Sequence, residues 1–220
     1  MRRWTIRVVC VLLLAPPVLA TVFRFVPVPG TPLMLIRSVQ GHGIARDWVP
    51  LDAIAPALRH AVIAAEDNRF CEQALGFDVA ALRGQIEAWQ AGERPRGAST
   101  ITMQTAKNLF LWPGRDPLRK VLEAWLTPQL ALIWPKRRVL EVYLNVVEFG
   151  PGLYGAEAAA RALFNKPATA LTPQEAAQLA AVLPAPLERS ASHPGQSLRE
   201  RANTIRRRVG TLGPLLDCAA

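Results

Sequence analysis

Cysteine and histidine are scarce in this chain, with three of each among 220 residues. Three cysteines are too few for a disulfide scaffold. Cys10 falls in an apolar N-terminal run, leaving Cys71 and Cys218 as the one pair available outside it, and two unpaired thiols are the favoured reading. His42, His60 and His193 are scattered, with no metal-ligand spacing among themselves or with the cysteines, so no zinc site is expected. There is no internal repeat and no convincing run of strand-like alternation, and the class reads as mainly α.

Positive charge is abundant. Lysine and arginine number 26 against 17 acidic residues, a formal net charge of +9. Such a balance implies an anionic partner: nucleic acid, acidic lipid or a phosphorylated substrate. The N-terminus narrows the choice. Arg2, Arg3 and Arg7 precede an uncharged run from Val8 to Phe23, and Arg24 follows. The run is slightly short for a membrane-spanning helix, Phe25–Val28 extend its apolar reach, and Pro16 and Pro17 are tolerated in a span. An uncleaved anchor is favoured over a signal peptide cut after Val18-Leu19-Ala20. In both cases the arginines stay in the cytoplasm and the rest is exported, which argues against a nucleic-acid partner. The expected organisation is a cytoplasmic tip and anchor over 1–28, an irregular or short-strand connector rich in proline and glycine over 29–50, and one helical domain over 51–220.

Within that domain, apolar residues at helical spacing predict helices over Pro56–Glu66, around Val79, Leu82, Ile86 and Trp89, from near Ser99, over Leu118 to about Trp134, and over Lys136–Phe149. Further helices are predicted over Gly155–Phe164, Thr172–Leu183 and Ser197–Val209. Thr172, Pro173 and Glu175 spell a capping box. The arginines of the last helix read as a solvated face.

The stretch Arg96–Asn108 (RGASTITMQTAKN) carries the most chemical information. As a helix it sets Thr100, Gln104, Lys107 and Asn108 along one side, with Ile101, Ala106, Leu109 and Phe110 inward. Glycine before a capped helix start is a ready anion site. An uncharged polar face of this kind suits sugars and phosphates. Glu66 and Asp67 end an otherwise apolar helix, where a carboxylate flanked by Ala64, Ala65 and Phe70 is partly desolvated and suited to moving a proton near neutrality. Glu123 shares a helix face with Arg119, which by itself is an ordinary ion pair. Two separated carboxylates beside Lys107, Arg115, Arg119 and Lys120 form a richer set: carboxylates serve glycosidic-bond chemistry and cations serve a pyrophosphate leaving group.

Taken together, AVIAAEDNRF (61–70), RGASTITMQTAKN (96–108), RKVLE (119–123), KRRVLEVYLN (136–145) and GLYGAEAAA (152–160) occur in the order seen in the peptidoglycan glycosyltransferases of glycosyltransferase family 51. The chain resembles the monofunctional biosynthetic form over roughly 50–190. It has no Ser-x-x-Lys or Lys-Thr-Gly, so the penicillin-binding half is absent. The resemblance implies a lysozyme-like helical fold and polymerisation of lipid II at the bacterial inner membrane, with a single-pass anchor and a periplasmic catalytic domain. Growing glycan on undecaprenyl pyrophosphate is the donor, and the GlcNAc 4-hydroxyl of lipid II attacks with inversion. Glu66 is then the general base and Glu123 the second essential carboxylate, positioned by Arg119 and Lys120 or through a divalent cation, Mg or Mn. Lys107 and Arg115 hold the pyrophosphate; Ser99, Thr100, Gln104, Asn108 and Asp67 complete the substrate site. No nucleotide cofactor and no direct protein metal cluster are expected. Other wall-synthesis or division proteins are the partner class that fits.

Two departures from the family pattern stand out. Gln73 occupies the place of a usual histidine, with one extra residue before Gly76, and Met103 replaces the first of a usual glutamine pair. Leu130–Trp134 followed by Lys136–Arg138 reads equally as a membrane-interface patch or as a buried helix with a solvated end. A lysozyme-like wall hydrolase or lytic transglycosylase, or a non-catalytic scaffold, are the competing functions; the pyrophosphate-matching cations weigh against the first and the retained carboxylates against the second.

Overall fold

A computed structural model describes residues 2–93, 97–114 and 116–219, with only the backbone of residues 2, 3, 5, 6 and 8–12. Ten α-helices among the described residues enclose one core: α1 (Arg2–Phe23), α2 (Pro32–Val39), α3 (Pro56–Glu66), α4 (Val79–Gln90), α5 (Ile101–Phe110), α6 (Pro117–Ile133), α7 (Lys136–Val146), α8 (Ala156–Phe164), α9 (Pro173–Val182) and α10 (Gln196–Leu212). The class is mainly α, as the periodicity predicts. Helices α3 and α9 are alanine-rich and pack closely, with Leu58, Val62, Ile63, Ala64, Ala176, Ala180 and Val182 fully buried. Small side chains allow close helix approach, and α10 closes over the pair. The capping box at Thr172 and Glu175 forms as its spacing indicates.

A short strand falls in the connector, where one was among the expectations, and two more appear after α7, where none was expected. β1 (Ala45–Arg46), β2 (Glu148–Gly150) and β3 (Leu153–Tyr154) form a small sheet in the order β1-β3-β2. Segments of two or three residues are too short to leave an alternation pattern. Helix α7 accordingly stops at Val146 rather than Phe149. Gly152 has φ +68, and a Cβ there would run into the His42 backbone, so glycine alone fits where β3 meets the connector.

The connector is more ordered than its proline and glycine content suggests. Thr31 caps α2 by accepting from Met34 N, and Pro32 fills the first helical position. Arg46 then ties the connector down, donating to the carbonyls of Val28, Pro29 and Asn145. Buried Asn145 bonds both ways to the backbone of Val49, at 2.9 Å each.

The patch at Leu130–Arg138 is the socket for α1. Trp134 is buried, and its indole N–H donates to Ala20 O at 2.7 Å. Arg138 donates to the carbonyls of Phe23 and Val26, and Arg24 returns a bond to Ile133 O. The Arg138 bonds to Phe23 O answer the last carbonyl of α1, which lacks a partner within the helix. Among the described residues no helix is long and apolar enough to cross a membrane.

Helix α4 departs from its expected role. Its stripe exists, yet Val79, Ile86 and Trp89 are 67%, 56% and 73% exposed, and none of its residues is buried. Gly76, with φ +76, turns the chain away from the body: its Cα lies against Thr102 and Thr127, where a Cβ would meet methyl carbons at 2.8 and 2.9 Å.

Candidate active site

Three helices bring the candidate residues together, joined through α5. The C-terminal end of α3 brings Glu66 and Asp67, the length of α5 brings Gln104, Lys107 and Asn108, and the first half of α6 brings Arg119, Lys120 and Glu123. Glu66 and the face of α5 meet as the sequence implies: Gln104 Nε2 donates to Glu66 Oε2 at 2.8 Å. The Gln104 carbonyl in turn accepts from the Tyr143 hydroxyl at 3.0 Å. Tyr143 is fully buried, and desolvation together with the nearby Glu66 and Asp67 charges pushes its pKa well up, so it remains a donor. That donor fixes which end of the Gln104 amide faces Glu66.

The more deeply buried member of the acidic pair is Asp67. Asp67 is buried, and desolvation pushes its pKa up to about 6 against the opposing pull of the Ile101 N–H, the Gln73 amide and Lys136. Its two oxygens accept from Gln73 Nε2 and from Ile101 N at the start of α5. Lys136, whose ammonium lies 4.6 Å from the Phe70 ring centroid, is lowered to about 8 by burial despite Asp67. Asp67 thus joins α3 to α5, and its oxygens are occupied by protein donors.

Glu123 is buried beneath its cations. Arg119 Nη1 donates to one oxygen at 2.6 Å and Lys120 Nζ to the other at 2.7 Å. Lys120 also reaches Ser99 Oγ at 2.9 Å, linking the segment before α5 to α6. Lys107 has its pKa lowered by burial, opposed by the attraction of both Glu123 and Glu66, so it stands in the field of both carboxylates. No hydrogen bond or ion pair engages its ammonium among the described residues. A cation of this kind, partly desolvated and uncommitted, is equipped to receive an anionic group.

The remaining expectations divide. Asn108 and Gln104 line a cleft of about 300 Å³ with Lys107, Trp112, Arg37 and Glu148. Thr100 does not: it is buried, donates to Gly76 O at 2.6 Å and caps α5 by accepting from Met103 N. Two structural bonds consume its hydroxyl, and helix α5 begins after Thr100 rather than Ser99. Met103 is buried, so its substitution takes no polar group from the cleft. Arg115 lies outside the described residues. Gln73, in the place of a usual histidine, is the donor to Asp67.

Arg201 was missed. The last helix is not uniformly solvated: Arg201 Nη2 lies 3.9 Å from Glu66 Oε1, and Arg208 donates to Ala64 O at 2.9 Å. The seven-residue spacing of Arg201 and Arg208 was the available signal, since it puts both on one helix face. Cys71 and Cys218, expected to be unpaired, form a disulfide with Cα atoms 5.5 Å apart. They are 147 residues apart in sequence, a separation over which nothing local announces a pairing.

Among the described residues no group of three His, Cys, Asp or Glu side chains could hold a metal. Glu123, the expected neighbour of a divalent cation, already has both oxygens bonded to Arg119 and Lys120. The residues present do not fit a metal bound directly to it.

A helical domain that sets a carboxylate on either side of a helix face of amides and an uncommitted lysine fits an enzyme of carbohydrate chemistry. Comparison with known proteins makes the class specific. A family model described as Transglycosylase matches residues 34–210, and the chain belongs to that family. Biosynthetic peptidoglycan transglycosylases are similar along nearly the whole chain. That of Caulobacter vibrioides is 48% identical over 94% of this chain and 92% of its own. That of Rhodospirillum centenum is 55% identical over 87% and 83%. That of Bdellovibrio bacteriovorus is 45% identical over 97% and 88%.

Proposed function

We infer that the protein is a monofunctional biosynthetic peptidoglycan glycosyltransferase with a lysozyme-like helical domain, building cell-wall glycan from lipid II. The observation that carries the reading is Lys107 on α5, a cleft-lining cation without a protein partner among the described residues, on which both Glu66 and Glu123 act. A neutral glycan needs no such cations, whereas a lipid pyrophosphate does.

In the proposed reaction Glu66, oriented by Gln104, takes the proton from the GlcNAc 4-hydroxyl of the incoming lipid II. The oxygen forms a bond to C1 of the donor MurNAc from one face, and the C1–O bond to undecaprenyl pyrophosphate breaks on the other, with inversion. Lys107, Lys120 and Arg115 take up the negative charge of the departing pyrophosphate. Fixed charges aimed at developing charge are commonly worth a factor on the order of 10²–10³ each. Glu123 holds Arg119 and Lys120 in place. Asn108 and Trp112 line the sugar path.

Location at the inner membrane, with the domain on the periplasmic side, belongs to the same proposal. Its support is the arginines Arg2, Arg3 and Arg7 that precede the uncharged run Val8–Phe23, the exposed apolar residues Leu13, Leu14, Val18, Leu19 and Val22 along α1, and the Cys71–Cys218 disulfide. Disulfides persist in oxidising compartments. Detergent-solubilised protein supplied with labelled lipid II should yield long glycan strands. Solubilisation of purified sacculi in place of polymer would move the assignment to a wall hydrolase.

A further inference from the structure

The segment that follows Glu66 is where this chain departs from the family pattern, and it is also where the disulfide lies. Cys71 stands next to buried Phe70 and two residues before Gln73. Cys218 lies in the terminal 3-10 turn Gly213–Ala219, which packs on α3, on α7 and on the turn Phe70–Glu72. That terminal turn is itself anchored: Leu216 and Ala219 are buried, and Arg59 of α3 donates to Ala219 O at 2.6 Å.

Beyond Gln73 the next fixed point is Gly76, whose carbonyl accepts from Thr100. After Asp78 the chain leaves the body in α4, which buries none of its residues. Gln73 therefore sits between two pins, the disulfide and Gly76. Its side chain makes one hydrogen bond, to Asp67, while its Oε1 is buried without a partner. A half-satisfied buried amide does not hold itself in place; the backbone that carries it must.

We propose that the Cys71–Cys218 disulfide is a positioning device for catalysis, holding Gln73 on Asp67 and thereby α3 in register with α5. Asp67 is the joint, since it accepts from Gln73 on one side and from Ile101 N of α5 on the other. Glu66 is its sequence neighbour, and Gln104, which orients Glu66, is on the first turn of α5. Loss of the tether frees Gln73, loosens Asp67 and displaces Gln104 from Glu66. The other charged or titratable groups facing Asp67 are Lys136 and Tyr143 of α7, Glu66 and Asp78. None of them spans from the loop to α5.

The inference rests on the glycosyltransferase reading, and its test separates the two. Wild type, the double variant Cys71→Ser/Cys218→Ser, Gln73→Leu and the triple combination are assayed for kcat and KM on lipid II, well below each variant's unfolding midpoint. Cys71→Ser/Cys218→Ser and Gln73→Leu should each lower kcat about tenfold, the scale of one hydrogen bond to a charged group, with KM little changed. The triple combination should be no worse than the weaker of the two, because both lesions break one linkage. A multiplicative loss in the combination, or wild-type kcat in the serine variant with only a lowered Tm, would reduce the disulfide to a structural staple. If the serine variant does not fold, mild thiol reduction of the folded wild type replaces it, and the same kcat loss, reversed on reoxidation, is expected. Wild type that makes no glycan would instead overturn the glycosyltransferase reading.

Discussion

Removing the Glu123 carboxylate tests the charged centre of the cleft most severely. Glu123 is 2% exposed and Arg119 8% exposed. Glu123→Ala deletes the 2.6 Å bond to Arg119 Nη1 and strands a buried guanidinium whose Nε already lacks a partner. Breaking a buried pair by removing one member costs about 3–5 kcal/mol, most of it from the charge left behind. The second bond adds little. The Lys120 side chain is 46% exposed and can turn to water, and such pairs contribute about 0.2–1 kcal/mol. For a chain of this size each kcal/mol lowers Tm by about 2–4 °C, so Glu123→Ala should melt roughly 6–20 °C below wild type. Glu123→Gln, which keeps an acceptor for Arg119, should fall between the two. Circular-dichroism melts in detergent at low and high salt measure the effect, and the loss should survive in high salt because the pair is shielded from counter-ions. A melt of Glu123→Ala within about 2 °C of wild type would refute the assignment of a buried, mutually dependent pair.

Other perturbations separate chemistry from stability. Lys107→Met should lower kcat on lipid II by a factor on the order of 10²–10³ while leaving Tm undiminished, because the lost cation is itself disfavoured by burial. Steady-state kinetics and a thermal melt on one preparation check both halves. Asp67 is raised from 3.8 to about 6, so the folded state holds the extra proton and stability falls as pH rises from about 4 to 6. Asp67 should supply about 3 kcal/mol of that fall. Denaturant titrations across the window should show a shallower decline in Asp67→Asn, and identical slopes would count against the buried carboxyl. Gly76→Ala forces a side chain into φ +76 against the Thr102 and Thr127 methyl groups, and should cost about 2–4 kcal/mol in a urea titration.

Much of this structure is legible in the sequence, for identifiable reasons. Helices α3, α5, α7 and α9 bury a continuous apolar face against one another, so their period is written in Leu58–Val62, Ile101–Leu109, Val139–Val146 and Ala176–Val182. Glu123 with Arg119 and Lys120 is equally local, because contacts three and four residues apart on a helix are set by its geometry. What stayed hidden is long-range or numerically small. The Cys71–Cys218 bond and the approach of Arg201 to Glu66 depend on how α10 and the terminal turn return to α3. The sheet is too short to show a period. Helix α2 lies in the stretch expected to be irregular from its prolines and glycines, although threonine before proline, as at Thr31-Pro32, is a helix-entry signal.

The errors follow one rule: a side chain's type indicates its chemistry, and its neighbours decide whether that chemistry is free. Thr100 is spent on Gly76 and Met103, and Asp67 on Gln73 and Ile101. Trp134, read equally as interfacial or as part of a buried helix, is buried and bonds to Ala20. In α4 the opposite holds, for its apolar stripe is present and has nothing to cover it. Gln104 sits on the polar side of α5, as its spacing indicates, and Tyr143 turns its amide toward Glu66.

The direct test of the account is polymerisation of labelled lipid II by detergent-solubilised wild type and Glu66→Gln, with thermal melts confirming that both are folded. Wild type should build long glycan strands, and the variant, which keeps the shape but not the basicity, should be slower by a factor on the order of 10²–10⁴. A folded Glu66→Gln protein that polymerises at the wild-type rate would contradict the central claim that Glu66 takes the proton from the attacking hydroxyl.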